Sequence, residues 1–80
     1  NMLWTQYKNL AGNSGVLEYR FDDEAFSWIE IRFTDESTYL YTDESCSWLE
    51  VMEMIELAER GIGLNRWIND NQPGYSDVTR

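Results

Sequence analysis

Most of the side chains in this sequence that could do chemistry are carboxylates. The 80 residues include 15 aspartates and glutamates, six lysines and arginines, no histidine and one cysteine, Cys46. Without histidine there is no Ser-His or Cys-His pair for nucleophilic catalysis, and a structural zinc site would lack ligands. Cys46 has no basic neighbour to activate its thiol, so we predict a packing residue. The composition indicates a non-enzymatic protein with no catalytic residue, metal ligand or cofactor.

The carboxylates are concentrated in three predicted turns, Asp22-Asp23-Glu24, Asp35-Glu36 and Asp43-Glu44. In an antiparallel meander the first and third clusters lie at one end of the sheet and the second at the other. Five carboxylates would then converge, as solvated turns, a weak calcium site or a docking patch for a basic protein. The spacing is not that of an EF-hand loop, which alternates its ligands around a central glycine.

The formal net charge of −9 disfavours binding to nucleic-acid backbones and to anionic membranes. No apolar run approaches the roughly 20 residues that a membrane helix needs. We expect no secretory signal, and Asn1 before Met2 suggests a cloning remnant. The expected location is the cytoplasm, with which a lone thiol agrees.

Apolar and polar residues alternate in three segments, which predicts three β-strands. The strands are expected over Val16–Phe21, 26–34 and 37–42, and short connections between them favour an antiparallel meander. Strict alternation in the first strand places Leu17 on the same face as Tyr19.

The loop between the second and third strands decides which sheet face carries Tyr39 and Tyr41. A two-residue turn, Asp35-Glu36, would expose both tyrosines beside Trp28, as a platform on which nucleic-acid bases could stack. A three-residue loop, Thr34-Asp35-Glu36, would pair them with the isoleucines of the second strand instead. Two-residue turns favour glycine because they need positive φ, whereas the longer loop needs only one left-handed residue. We predict the longer loop and buried tyrosines.

After the third strand the apolar period changes to that of a helix. Ser47 and Glu50 have the spacing of a capping box, and Gly61 is placed to end the helix. A second, shorter helix begins at Gly63 and ends before Pro73. The predicted apolar stripe of the first helix consists of Trp48, Val51, Met52, Ile55 and Ala58.

This order of elements predicts an α+β fold, in which a three-stranded antiparallel β-meander is followed by two helices packed on one sheet face. One domain is expected over residues 2–75, with residues 76–80 as a frayed C-terminal tail. The other sheet face must be partly wet, or covered by the lead-in segment around Trp4 or by a partner.

An ordered series of short motifs runs through residues 14–68. The motifs are Ser14-Gly15-Val16 with Tyr19, then Ile29, Ile31 and Phe33, then Tyr39 and Tyr41, then Leu57-Ala58-Glu59-Arg60-Gly61, and then Gly63-Leu64-Asn65-Arg66-Trp67-Ile68. In this order they resemble the KTSC domain, a small bacterial and phage family. The family has glycine where this chain has Glu36, which also favours the three-residue loop. Because the family's function is poorly defined, the resemblance implies a fold rather than an activity.

The sequence therefore predicts a non-enzymatic interaction module that binds an unidentified protein partner, with a basic surface as the best complement. One alternative is a phage or mobile-element inhibitor that mimics nucleic acid. Another is a single-stranded nucleic-acid binder that uses an aromatic sheet face, although the net charge disfavours it. The predicted partner-binding residues are Asp22, Asp23, Glu24, Asp43, Glu44, Trp28, Glu30 and Arg32.

Overall fold

Five antiparallel strands form one sheet, in which neighbouring strands follow chain order. The computed structural model describes residues 3–80. Within that range no helix is long and apolar enough to cross a membrane. The α+β class is confirmed, but the sheet has five strands and not three. The elements are β1 (Thr5–Gln6), β2 (Val16–Phe21), β3 (Trp28–Phe33), β4 (Thr38–Thr42), α1 (Trp48–Arg60), α2 (Leu64–Asn71) and β5 (Asp77–Thr79).

The two additional strands lie at the edges of the sheet. β1 pairs with β2, and β5 pairs with β4, placing Val78 opposite Tyr39. The segment 76–80, expected to fray, is held instead by a 2.7 Å hydrogen bond from the Ser76 amide to the Leu40 carbonyl and by this pairing. Strands of two and three residues are too short to show an alternating pattern, so no periodic signal predicts them.

The β3–β4 hairpin has the predicted three-residue loop. The Phe33 amide donates to the Ser37 carbonyl at 2.8 Å, and Ile31 lies opposite Tyr39. Glu36 takes the left-handed conformation, with φ of 71°. Tyr41 is 2% exposed, and the half-buried Tyr39 packs against the core. The prediction that both tyrosines lie on the core side is confirmed, and the exposed tyrosine platform does not form.

We expect Glu36→Gly to raise the free energy of unfolding by about 1 kcal/mol. A left-handed conformation costs a residue with a side chain roughly 1–2 kcal/mol, and the greater unfolded-state entropy of glycine offsets part of that gain. Urea denaturation followed by tryptophan fluorescence measures the change. Thr34→Gly, at a loop position without positive φ, is the matched control and should destabilise slightly. Equal effects at the two positions would contradict the argument.

A β-bulge interrupts the alternation of β2. The register with β3 shifts between Val16 and Glu18, so that Val16 pairs with Phe33 and Tyr19 with Ile31. As a result Val16 is buried, while Leu17 is 43% exposed. The predicted common face of Leu17 and Tyr19 is wrong, because the extra residue of a bulge reverses the alternation before it.

The ends of α1 match the sequence pattern. The Glu50 amide donates to the Ser47 hydroxyl, and the Ser47 amide donates to the Glu50 carboxylate, at 3.1 Å each. Gly61 ends the helix in the left-handed conformation at φ 81°. The Lys8 ammonium donates to the Glu59 carbonyl in the last turn. The capping box and the glycine stop are therefore confirmed.

The core lies between the sheet and the helices. α1 contributes residues spaced at i, i+3, i+4 and i+7, beginning at Val51. Met54 is fully buried there, whereas Trp48 is 48% exposed and Met52 is only partly buried, so the predicted stripe is wrong at Trp48 and Met52 and omits Met54. The buried apolar residues are Tyr7, Val16, Tyr19, Ile29, Ile31, Tyr41, Val51, Met54, Ile55, Ala58 and Leu64.

Candidate functional site

Asp22, the first predicted site residue, organises its own turn. Its carboxylate accepts hydrogen bonds from the Glu24 and Ala25 amides at 3.1 and 3.2 Å. It also accepts from the Ser27 amide at 3.2 Å and from the Ser27 hydroxyl at 2.6 Å. The Ser27 hydroxyl, followed by the Ala25 and Glu24 amides, lowers the pKa of Asp22 to about 2. Asp22 therefore holds the β2–β3 loop, and we do not assign it a role in binding.

The other four carboxylates of the two predicted acidic turns are exposed, at the end of the sheet where the β2–β3 and β4–α1 loops meet. Asp23 and Glu24 lie in the first loop, and Asp43 and Glu44 lie in the second. A 2.9 Å hydrogen bond from the Asp43 amide to the Ser27 carbonyl joins the two loops. In the described part of the chain, no group of three or more His, Cys, Asp or Glu side chains is placed to hold a metal ion.

Two apolar side chains extend this acidic surface. Trp48 is 48% exposed and Leu49 is 73% exposed, in the first turn of α1. The Trp48 indole Nε1 donates to the Ala25 carbonyl at 3.3 Å, so the ring is tied to the β2–β3 loop. The predicted core stripe of α1 includes Trp48, and its exposure makes that prediction wrong. We call the combined surface the acidic pole, which consists of Asp23, Glu24, Asp43, Glu44, Trp48 and Leu49.

The predicted residues Glu30 and Arg32 lie on the outer sheet face, the face opposite the helices, in cross-strand ion pairs. The Glu30 carboxylate accepts from the Arg20 Nε at 2.7 Å, and the Arg32 guanidinium pairs with Glu18. All four side chains are partly exposed, so we expect each pair to contribute no more than about 1 kcal/mol. These contacts stabilise the sheet surface, so Glu30 and Arg32 already have charged partners within the sheet.

Trp4 covers part of the same outer face. The Arg20 and Arg32 guanidinium carbons lie 4.5 and 4.3 Å from the centre of the Trp4 ring, in cation–π contact. Trp28 is half-buried on this face and lies opposite Thr42, at the end nearest the acidic pole. The lead-in segment therefore covers part of the outer face, which is one of the predicted alternatives. Of the three predicted outer-face residues only Trp28 adjoins the pole.

Cys46 lies between β4 and α1, half-buried against the core. Its thiol donates to the Thr42 carbonyl at 3.3 Å. Burial, followed by the nearby Glu50 carboxylate, raises the pKa of the Cys46 thiol. These features are those of a packing residue with little thiolate at neutral pH.

A cleft of about 590 Å³ opens between the β3–β4 loop, β4, α2 and the segment 72–75. Sequence reasoning misses it because the segment 72–75, which lines one side, follows the second helix and has no periodic pattern. Asp35 lies at the loop side of the cleft. Its carboxylate accepts from the Ser37 hydroxyl at 2.6 Å and from the Ser37 amide at 3.0 Å. These bonds, with a smaller contribution from Arg80, lower the pKa of Asp35.

The acidic pole and the cleft are the two surfaces of residues 3–80 that we consider as candidate sites. Comparisons with protein-family models, with curated proteins and with solved structures found no match to this chain. The similarity to the KTSC family over residues 14–68 accordingly stays a prediction from the sequence motifs.

Proposed function

We propose that this protein is a non-enzymatic interaction module that binds a basic surface of a protein partner through its acidic pole. The observation that carries the proposal is the exposure of Trp48, whose indole donates to Ala25 in the first acidic loop, with the exposed Leu49 next to it in the chain. Tryptophan is enriched among residues that dominate binding energy at protein interfaces, where a polar rim surrounds an apolar centre. The pole has both components within one surface.

Charge favours a basic partner. Glu24, Asp43 and Glu44 are exposed in the pole, and the whole chain has a net charge of −9. Complementary charge accelerates association and suppresses acidic competitors, and both effects weaken with salt. The partner surface that fits is therefore a basic patch with an apolar pocket or groove for the tryptophan.

Mimicry of nucleic acid is the second candidate. The same exposed carboxylates would favour a partner whose basic surface normally binds phosphates. Competition by DNA for the captured partner separates the two functions. The third function considered from the sequence, base stacking on an aromatic sheet face, required Tyr39 and Tyr41 beside Trp28, and the register places them on the other side of the sheet.

The test compares variants of equal charge in affinity capture from a bacterial lysate. The pole variant is Asp43→Lys with Glu44→Lys, and the matched control is Glu53→Lys with Asp70→Lys on the exposed sides of the helices. The same basic protein should bind the wild type and the control variant. Its affinity for the pole variant, and for Trp48→Ala, should fall by about tenfold or more, measured with the purified pair.

Thermal unfolding followed by circular dichroism checks that each variant is folded. Equal loss of the partner from the pole and control variants would mean that net charge alone causes capture, and the proposal would fail. Retention of full affinity by Trp48→Ala would also contradict it. Displacement of the partner by duplex DNA at moderate salt would favour mimicry over ordinary docking.

A further inference from the structure

The cleft beside α2 has the size and lining of a binding site. Its volume of about 590 Å³ lies within the range of roughly 300–1,000 Å³ that is typical of ligand pockets. It lies beside the β3–β4 loop, which is at the end of the sheet opposite the acidic loops. An occupant of this cleft would therefore be recognised independently of the acidic pole.

Aromatic rings form much of the cleft wall, and Tyr39 is at their centre. The Tyr39 ring lies edge-to-face with Phe33 at 5.5 Å and with Tyr75 at 4.9 Å, measured between ring centres. Tyr41 lies nearly parallel to it at 6.1 Å. Ring faces carry negative electrostatic potential, so the two accessible tyrosine rings, Tyr39 and Tyr75, favour a cation, whereas Tyr41 is buried behind the cleft surface. Tyr75 is 51% exposed, so its ring is accessible from solvent.

The polar groups of the cleft also favour a cation over an anion. Among the described residues, the Asp35 carboxylate is the one charged group that lines it. The α2 side contributes the side-chain amides of Asn65, Asn69 and Gln72, which make no hydrogen bond within residues 3–80. Their carbonyl oxygens can accept from a cation's N–H groups. An anionic occupant would face Asp35 and the overall negative charge of the chain.

The chain already places one of its own cations beside this cleft. The Arg80 guanidinium lies 5.9 Å from the centre of the Tyr39 ring, and its Nη2 donates to the Tyr39 hydroxyl at 3.0 Å. The same charge acts on the Asp35 carboxylate. Arg80 is thus an internal example of the group that these walls attract.

We propose that the cleft binds the guanidinium group of an arginine side chain on a partner peptide. The planar group would lie against the tyrosine rings and donate to Asp35 and to the α2 amides, which a spherical ammonium matches less well. Arg80 would be displaced from Tyr39 when the peptide binds. The inference goes beyond the acidic pole and depends on none of its residues.

A titration followed by ¹H–¹⁵N NMR tests the proposal on the full chain. The probe is the peptide acetyl-Gly-Gly-Arg-Gly-Gly-amide, and its control carries citrulline, which has nearly the same shape without the charge. The arginine peptide should shift the resonances of Tyr75, Asn69 and Gln72. The citrulline peptide should bind at least about fivefold more weakly, as expected for loss of a cation–π contact.

Two variants make the assignment specific. Tyr75→Ala removes an exposed ring and should weaken binding of the arginine peptide about fivefold. Arg80→Ala removes the internal competitor and should strengthen binding by about twofold or more.

Several results would overturn the proposal. These are equal binding of the arginine and citrulline peptides, resonance shifts confined to the acidic pole, no binding up to about 10 mM peptide, or unchanged affinity of Tyr75→Ala. Tighter binding of free N-acetylarginine amide than of the peptide would overturn the assignment to a peptide partner. Because the shifts are assigned residue by residue, failure here is distinguishable from failure of docking at the pole.

Discussion

Gly74→Ala should lower the free energy of unfolding by about 2–3 kcal/mol. A Cβ atom built on Gly74 would lie 2.2 Å from the Ser45 carbonyl oxygen, far inside contact distance. The Ser45 carbonyl belongs to the backbone and cannot rotate away as a flexible side chain would, so the segment 72–76 must move to make room for the Cβ atom. That movement would strain the 2.9 Å hydrogen bond from the Ser45 hydroxyl to the Gly74 carbonyl and the bond from the Ser76 amide to Leu40.

The effect is large for a domain of this size, in which total stability is only several kcal/mol. Thermal denaturation should show a decrease in Tm of about 10–20 °C. Gly15→Ala is the matched control, because its Cβ would lie 3.4 Å from the Asn65 Oδ1, an ordinary van der Waals contact. We expect Gly15→Ala to lower the free energy of unfolding by less than about 1 kcal/mol. A Gly74→Ala variant as stable as the Gly15→Ala variant would show that the segment yields without loss of its contacts.

The central hairpin could be predicted from sequence because two independent signals agree. Alternation locates the strands, and the absence of glycine in the turn selects a loop in which Glu36 alone takes positive φ. The length of the loop then sets which residues of β3 and β4 lie opposite each other. This register determines the sheet face on which each residue of β4 lies. The capping box and Gly61 are local signals of the same kind, since their partners lie within four residues.

The elements that sequence reasoning missed depend on contacts distant in the chain. β5 is held by pairing with β4 and by contact of Tyr75 with the Tyr39 ring, across more than 30 residues. β1 forms because the edge of β2 is available, and because Trp4 packs on two arginines of the outer face. No local pattern encodes such pairings, because the stabilisation comes from context and not from propensity.

The candidate sites were predictable in part. Acidic turns are visible in the sequence, and antiparallel connectivity brings the β2–β3 and β4–α1 loops to one end. The sequence contains a signal for the role of Asp22 in its turn, because aspartate commonly accepts hydrogen bonds from backbone amides a few residues ahead. No sequence signal predicts the exposure of Trp48, because helical spacing alone does not indicate how far the sheet extends under the helix. The cleft depends on the placement of Tyr75, which is a tertiary property.

Met54→Ala should destabilise the protein by about 3 kcal/mol, whereas Trp48→Ala should cost about 1 kcal/mol or less. Met54 is fully buried beneath α1, so truncation removes apolar burial and leaves a cavity in the core. Trp48 is half-exposed and loses mainly one hydrogen bond to the Ala25 carbonyl. Urea denaturation measures both changes in the free energy of unfolding. Comparing the m values, the slopes of that free energy against urea concentration, checks that unfolding stays two-state.

The order of these two effects distinguishes two ways in which α1 could pack. The stripe predicted from sequence places Trp48 in the core and Met54 outside it, and it would make Trp48→Ala the more damaging change. The structure requires the opposite order, because Met54 is fully buried whereas Trp48, in the first turn of α1, is 48% exposed. If Trp48→Ala destabilised as much as Met54→Ala, the indole would belong to the core. The acidic pole would then lose the apolar centre on which docking of a partner depends.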